Sequence, residues 1–309
     1  MPVTELRLRS ETHPIIRAGI STDNPPDAQS TAPRPDPLLR EALALSTQPG
    51  FPQAVREFAR GMVRFREAPR LVNKLTSHES RLRVIGYLLY LHADRERFGP
   101  EGGATYVRLL ELCTRDQEVS PRVLKTTLAL LRLTGFIHSQ RNAADLRSAY
   151  YRPTQRMLEQ MRLWLSGIAR SLDRLQPQPR YLQRLDEDPA VFDRFMVASG
   201  RARIAGVRPV DFMPEFVGFF GRRAGAGAVA IGIMHAHLEG APFPSRAQIA
   251  RRFGLAKSQV SSIIGDGTQL GYFEVDAAGM AVPTSRLCRD FSCWVSLVLA
   301  FCARHLQPA

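Results

Sequence analysis

The sequence predicts a mainly α-helical fold with small β-hairpin wings, in which two tandem winged helix-turn-helix domains form a pseudo-dimer. Two observations support this fold class. A helix-turn-helix pattern followed by a hairpin pattern occurs twice, from Leu112 to Thr154 and from Ile249 to Thr284. The similarity also extends upstream, because Pro52 to Phe58 (PQAVREF) matches Pro189 to Phe195 (PAVFDRF). Repetition on this scale indicates two copies of one structural unit.

Glycines and prolines align the two copies. Gly135 in Thr-Gly-Phe-Ile corresponds to Gly271 in Leu-Gly-Tyr-Phe, and Pro153 corresponds to Pro283, each before a threonine. The two prolines are closer together along the chain than the two glycines, so the second hairpin is shorter than the first. Length differences in loops are what a diverged duplication produces.

Composition divides the chain into four parts. Residues 1–36 are rich in Pro, Ser, Thr and Asp, show no sustained periodicity, and are predicted to form a disordered arm. The first winged-helix domain is expected over 37–175 and the second over 189–309. The segment 176–188 is the predicted linker, because its prolines prevent the preceding helix from continuing.

Apolar periodicity and capping residues predict the helices of each copy. The first supporting helix is expected from Thr105 to Arg115, and the first recognition helix from Ser120 to Thr134, with a Ser-Pro pair at its start. Ser245 is expected to begin the second supporting helix, Gly254-Leu255 the turn, and Ala256 to Leu270 the second recognition helix. Further helices are predicted at Phe51 to Arg66, Ser80 to Ala93, Thr154 to Leu172, Ala226 to Leu238 and Thr284 to His305.

The outer face of each recognition helix carries residue types that contact DNA. Leu124, Leu128 and Leu131 recur at helical spacing and must face the core. On the opposite face, Arg can pair with guanine, Gln with adenine, Ser and Thr with bases or phosphates, and a Val or Thr methyl group with thymine. The predicted DNA-binding residues are Ser120, Arg122, Val123, Lys125 and Thr126 in the first helix, Arg141, Asn142 and Arg147 in the first wing, and Lys257, Ser258, Gln259, Ser261 and Ser262 in the second helix.

The two copies are expected to contact DNA unequally. The first wing tip, from Arg141 to Arg147, carries two arginines, whereas the second, from Asp276 to Gly279, carries an aspartate as its one charge. The second recognition helix also contains Gly265-Asp266-Gly267. Each glycine there costs about 1 kcal/mol relative to alanine, so a kink or fraying of the C-terminal half of this helix is predicted.

Composition favours a polyanion as the partner and argues against an enzyme. The formal net charge is +13 and the sequence pI is near 10.4, which is typical of proteins that bind nucleic acid. The cysteines form no CxxC pair and are interpreted as free thiols in a reducing cytoplasm. No catalytic or metal-binding constellation stands out, so no cofactor is expected. No apolar run reaches the roughly 20 residues of a membrane span.

The order helix, helix, helix-turn-helix, wing and long C-terminal helix, with GLAKSQVSSII followed by LGYFEV, resembles the winged-helix regulators of the MarR family. The resemblance covers roughly residues 50–172 and 189–306. It implies DNA binding and a dimer-like contact between terminal helices, here between two copies in one chain. The Gly-Asp-Gly segment and the acidic second wing depart from the family pattern.

These features predict a cytoplasmic transcriptional regulator that binds double-stranded DNA sequence-specifically, with its recognition helices in successive major grooves. Two alternatives remain open. The first is a replication-initiator-like protein, since tandem winged helices also serve there, and the second is a module that binds other proteins. A homo-oligomer formed through the apolar C-terminal helix also fits the sequence, and the sequence does not indicate a small-molecule effector.

Overall fold

The computed structural model describes residues 36–67, 70–100, 102–115, 119–141, 149–176 and 178–307, with the side chains of 70–72 left out. Residues 1–35 of the predicted arm lie outside these ranges. The described residues are mainly helical, with small antiparallel hairpins, as the sequence predicts. None of the described helices is long and apolar enough to cross a membrane.

The elements of the first half, residues 37–175, are α1 (Pro37–Ser46), α2 (Phe51–Arg66), α3 (Arg70–Thr76), α4 (Glu79–Ala93), α5 (Arg95–Phe98), α6 (Tyr106–Thr114), α7 (Pro121–Leu133), β1 (Ile137–Arg141), β2 (Ala149–Pro153) and α8 (Gln155–Leu175). They continue with α9 (Tyr181–Glu187), which leads into the second half. That half contains α10 (Ala190–Ile204), a 3-10 turn (Pro209–Phe212), α11 (Pro214–Phe220), α12 (Ala226–Glu239), α13 (Arg246–Phe253), α14 (Lys257–Gln269), β3 (Phe273–Val275), β4 (Ala281–Pro283) and α15 (Ser285–Leu306).

Side-chain caps fix the starts of the helices close to their predicted positions. The Ser120 hydroxyl accepts a hydrogen bond from the Val123 amide at 3.3 Å, and Pro121 occupies the first helical position of α7. Ser245 and Gln248 form a reciprocal capping box at the start of α13. Each cap satisfies backbone N–H groups that have no partner within the helix.

The repeat is visible in matching hydrogen bonds where each hairpin begins and ends. Gly135 and Gly271 adopt φ of 68° and 73°, which favours glycine. The hydroxyl groups of Thr154 and Thr284 donate to the carbonyl oxygens of these glycines at 2.8 Å and 2.7 Å. The same threonines are the N-caps of α8 and α15. One residue type therefore closes the hairpin and starts the long helix in both halves.

A pair of arginines extends this correspondence. Arg156 and Arg286, each two residues after the capping threonine, donate to the carbonyl oxygen of the residue before the glycine, at 2.9 Å and 2.8 Å. Their guanidinium carbons lie 5.3 Å and 4.6 Å from the ring centroids of Phe136 and Tyr272. Such detailed agreement between corresponding positions of the two halves supports an internal duplication.

Helices of the two halves interleave, so the described residues from Asp36 onward form one compact unit. Helix α2 packs along α8 within the first half and also contacts α12 of the second half. Its counterpart α10 contacts α15 and crosses to α4 of the first half, while α1 packs on α15. Each half therefore buries its N-terminal helix partly against the other half.

Ion pairs also join the two halves where these helices meet. Arg60 on α2 pairs with Glu239 at the end of α12 at 2.8 Å. In the opposite direction, Arg201 on α10 pairs with Asp94 at the end of α4 at 3.0 Å. Two further ion pairs between the halves are Arg252 with Glu67 and Arg304 with Glu41.

The predicted linker contains a packed helix. Helix α9 buries Tyr181 and Leu185, and the Asp173 carboxylate accepts the backbone amide of Tyr181 at 2.7 Å. Arg184 donates to the carbonyl oxygen of Leu306 at 3.1 Å, which connects α9 to the end of α15. This part of the connection between the halves is therefore attached to both of their long terminal helices.

The predicted kink or fraying at Gly265-Asp266-Gly267 is wrong, because α14 runs through all three residues. The physical reason lies outside the helix. A Cβ atom on Gly267 would stand 2.5 Å from the ring of Phe273 on β3, so the absent side chain makes room for that buried ring. Gly265 has nothing within 4 Å of its Cβ position.

The two glycines of α14 should therefore respond in opposite ways to alanine. Gly265→Ala should raise the free energy of unfolding by roughly 0.5–1 kcal/mol, because alanine favours a helix interior. Gly267→Ala should lower it by about 1–3 kcal/mol, the usual cost of overpacking. Urea denaturation of both variants measures the difference, and a change of the same sign in both would contradict this packing.

The Asp94–Arg201 pair should contribute to stability more than a surface pair does. The Asp94 side chain is 1% exposed and Arg201 is 53% exposed. Arg201→Ala would leave a buried carboxylate without its partner, and we expect a loss of roughly 1–3 kcal/mol in the free energy of unfolding. Arg194→Ala is the control, because it removes a pair with Asp188 in which both side chains are about half exposed, and it should change little. Equal effects of the two variants would exclude a stabilising role specific to Asp94.

Candidate nucleic-acid interface

Helix α7 is held by its inner face. Leu124, Leu128 and Leu131 are buried in the core, as their spacing predicts. Thr127, on the same side, is also buried and donates its hydroxyl to the Val123 carbonyl oxygen at 2.7 Å. Packing on this side leaves the opposite face of α7 in solvent.

The outer face of α7 is basic and exposed. Among the residues predicted to contact DNA, Ser120, Arg122, Lys125 and Thr126 are exposed, and Val123 is half-buried against the core. Arg122 and Lys125 form no ion pair or side-chain hydrogen bond with any described residue. The helix contains no acidic residue. Its positive charge is therefore available to an anionic partner.

The first hairpin is attached to the start of the supporting helix α6. Strands β1 and β2 pair in antiparallel register from Ile137 with Pro153 to Arg141 with Ala149. The Tyr151 amide donates to the carbonyl oxygen of Ala104 at 2.7 Å, which joins β2 to the start of the supporting helix α6. Arg141 is exposed at the end of β1. The other two predicted wing residues, Asn142 and Arg147, lie outside the described residues.

The corresponding face of α14 is partly occupied. Lys257, Ser258 and Ser261 are exposed, as the sequence predicts. Gln259 is half-buried, and its side-chain amide donates to the Ala224 carbonyl oxygen at 2.8 Å. This bond holds Gln259 against the segment between α11 and α12, which limits its ability to contact a base.

Arg223 from that segment occupies a second part of the α14 face. Its guanidinium donates to the Ser262 hydroxyl at 2.8 Å and pairs with the Asp266 carboxylate. It also lies 5.4 Å from the ring centroid of Phe219 on α11. Ser262, a predicted DNA contact, is therefore already hydrogen-bonded. Sequence reasoning missed Arg223, because its partners are far away along the chain and no local pattern indicates them.

The second hairpin presents acidic rather than basic groups. Strands β3 and β4 pair over three residues each, from Phe273 with Pro283 to Val275 with Ala281. The Asp276 carboxylate accepts the Met280 amide at 2.8 Å and so stabilises the turn. Glu274 on β3 is exposed next to it. The two hairpins are predicted to differ in the charge of their tips, and their strands differ in charge as well.

The charges of the two candidate recognition helices differ in the same direction. Helix α7 carries Arg122, Lys125 and Arg132 without an acidic residue. Helix α14 carries Lys257 and Asp266, so its formal charge is zero. A polyanion would be attracted more strongly to α7 than to α14.

The described residues offer no alternative site for metal or thiol chemistry. They contain no group of three or more His, Cys, Asp or Glu side chains placed to hold a metal ion. Burial raises the pKa of Cys113 to about 12 and that of Cys293 to about 11. Cys302 is buried as well, and Cys288 is half-buried beside His237, with its Sγ 3.6 Å from Nε2. Thiols in such surroundings stay protonated near neutral pH and are poor nucleophiles.

Comparison of the chain with models of known protein families, with curated proteins and with solved structures finds no match. Its function must therefore be inferred from its own residues.

Proposed function

We propose that this protein is a transcriptional regulator that binds double-stranded DNA sequence-specifically through two winged helix-turn-helix units in one chain. The observation that supports this most is the outer face of α7, where Arg122 and Lys125 are exposed and unpaired among the described residues. In this fold type the second helix enters the major groove, with its N-terminal residues against the bases. Arg122 and Lys125 lie at that end of α7.

The surrounding residue types support DNA rather than an arbitrary polyanion as the ligand. Ser120, Thr126 and Val123 accompany the two cations. Side chains of these types contact bases, phosphates and thymine methyl groups in the grooves of DNA. The net charge of +13 supplies the general attraction to the backbone. The preference for one DNA sequence would come from these side chains of α7. The overall affinity for DNA would come from the total positive charge.

We infer that the first copy makes the principal base contacts. The residues of α14 itself carry no net charge, and two of its predicted contacts, Gln259 and Ser262, are hydrogen-bonded to the segment between α11 and α12. The second copy would then contribute mainly Lys257 and the adjacent serines. The preferred DNA site is accordingly expected to be an imperfect palindrome or to lack symmetry.

A protein-binding module is the second candidate, and one observation favours it. Val107 on α6 and Leu133 on α7 are 71% and 74% exposed, which is high for large apolar side chains. An apolar contact with a protein partner would cover them. In that case the full chain would select no sequence from a random duplex pool, even at low salt.

Selection from a random double-stranded pool with the full chain, followed by fluorescence anisotropy on the enriched sequence, tests the proposal. A DNA-binding regulator should bind the selected duplex more tightly than a scrambled duplex, and the affinity should fall steeply as salt increases. Binding that does not discriminate between the two duplexes would contradict sequence specificity.

Removing the free cations of α7 should weaken binding to the selected site. Arg122→Ala is expected to cost roughly 1–3 kcal/mol on the selected duplex if it contacts a base. Lys125→Ala should reduce the slope of log affinity against log salt by about 0.9 if it contacts a phosphate. The matched control is Arg40→Ala with Arg56→Ala, which removes two exposed charges from α1 and α2. A control that loses as much affinity as the α7 variants would show that only net charge matters.

Changes in the second copy should have smaller or opposite effects. Asp276→Asn keeps an acceptor for the Met280 amide and removes a charge that the DNA backbone repels, so affinity should stay the same or rise slightly. Lys257→Ala should cost less than Arg122→Ala in the same anisotropy assay. A larger loss for Lys257→Ala would reverse the assignment of the principal copy.

A further inference from the structure

The chain segments that lead into α4 and α12 lie against each other across the boundary between the halves. The Glu79 amide donates to the Gly221 carbonyl oxygen at 2.9 Å. In the opposite direction, the Gly225 amide donates to the Ser77 carbonyl oxygen at 3.2 Å. Backbone bonds therefore join the two segments into one surface, which we call the central strip. It consists of residues 74–81 and 221–225.

The central strip connects the two helix-turn-helix units. Helix α3, which runs into the strip, packs on α7 of the first unit. The side-chain amide of Asn73 on α3 donates to the carbonyl oxygen of Phe253, at the end of α13 in the second unit, at 3.1 Å. At the other end of the strip, Arg223 and Ala224 hydrogen-bond to the outer face of α14. The strip thus borders the surface that the second recognition helix would turn towards DNA.

The central strip is strongly basic. Its cations are Lys74, Arg81, Arg222 and Arg223. Lys74 and Arg222 are exposed and form no ion pair or side-chain hydrogen bond with any described residue. The one carboxylate of the strip, Glu79, is paired with Arg83 at 2.5 Å, and its side chain is 15% exposed. The charges of Lys74 and Arg222 are therefore not balanced from within the strip.

Hydrogen bonds hold the backbone that carries Lys74. The Arg81 guanidinium and the Ser77 hydroxyl both donate to the carbonyl oxygen of Lys74, at 2.5 Å and 3.0 Å. The His78 Nδ1 accepts the amide of Ser80 at 3.2 Å and so caps α4. A partner of the strip would therefore not have to order the backbone when it binds, and this saves part of the entropy cost of association.

The chemistry of the central strip favours phosphate over a protein surface as its partner. Protein interfaces usually have an apolar core. Leu75 is the one large apolar residue of the strip, and it is buried. An array of cations without exposed apolar groups is instead typical of surfaces that neutralise DNA phosphates.

We propose that the central strip binds the DNA phosphate backbone between the two major grooves that receive α7 and α14, with Lys74 and Arg222 as the phosphate contacts. This inference rests on the proposed function, which places the two helices in successive major grooves. Phosphate contacts carry no sequence information, but they fix the position and orientation of a protein on the duplex. The strip would accordingly set the register in which both recognition helices meet their bases.

Neutral phosphates at the centre of the selected duplex test the contact with the unaltered full chain. Methylphosphonate linkages replace the phosphates midway between the two groove contacts, and fluorescence anisotropy measures the affinity. The affinity should fall by roughly tenfold or more at low salt, and the slope of log affinity against log salt should decrease by about 0.9 for each lost contact. The control duplex carries the same number of methylphosphonates beyond one end of the site. Equal affinity for the central and the control duplex would overturn the proposal.

The double variant Lys74→Gln with Arg222→Gln assigns the contact to these two residues. On the natural duplex it should lose roughly tenfold or more in affinity, and on the duplex with central methylphosphonates it should lose nothing further, because the phosphates it would contact are already neutral. Arg40→Gln with Arg56→Gln removes two exposed charges elsewhere and should cost much less, equally on both duplexes. An equal loss for Lys74→Gln with Arg222→Gln on the two duplexes would overturn the assignment.

Failure of the strip can be distinguished from failure of the proposed DNA binding. Arg122→Ala should weaken binding to the natural duplex and to the duplex with central methylphosphonates alike. If Arg122→Ala weakens binding while the central methylphosphonates have no effect, the strip assignment is wrong and DNA binding through α7 stands. If the full chain selects no duplex at all, both proposals are wrong.

Discussion

The packing of each N-terminal helix against the opposite half is the contact on which the rest of the structure depends. Helix α2 contacts α12, and α10 contacts α4, so part of the apolar face of each helix is buried only when both halves are folded. The Arg60–Glu239 and Arg201–Asp94 pairs lie at the ends of the same contacts and orient them. Helices α4 and α12 in turn support α7 and α14. The positions of the two candidate recognition helices are therefore set by contacts between halves.

The two halves share the hydrogen bonds at their hairpins, whereas their outer surfaces differ. The glycine, threonine and arginine at each hairpin make the same hydrogen bonds in both copies, because those bonds fix the direction of the chain as it leaves the second helix of the unit. The outer faces carry no such constraint. One copy has an exposed basic helix, whereas in the other Arg223 and Ala224 occupy part of the equivalent face. A single chain can in this way present two unequal surfaces, which two identical subunits cannot do.

Much of the local structure could be predicted from the sequence, because caps, glycines and apolar spacing act within a few residues. The starts of α7, α8, α13 and α15 follow from Ser120, Thr154, Ser245 and Thr284. Contacts between distant residues could not be predicted. Propensity alone suggests a broken helix at Gly267, but the ring of Phe273 requires the missing side chain. The hydrogen bonds of Gln259 and Ser262 likewise depend on how the segment between α11 and α12 packs on α14. The tandem winged-helix assignment and the DNA contacts stay predictions.

Unequal contact of the two halves with one DNA site is tested most directly by hydroxyl-radical footprinting of the full chain on its selected duplex. Contact dominated by the first copy predicts strong backbone protection on one side of the site and weak protection about one helical turn away. Two equal, symmetry-related zones of protection would contradict it and would indicate that two chains each place the same copy on the DNA. Absence of protection at a concentration that saturates binding would contradict groove contact altogether.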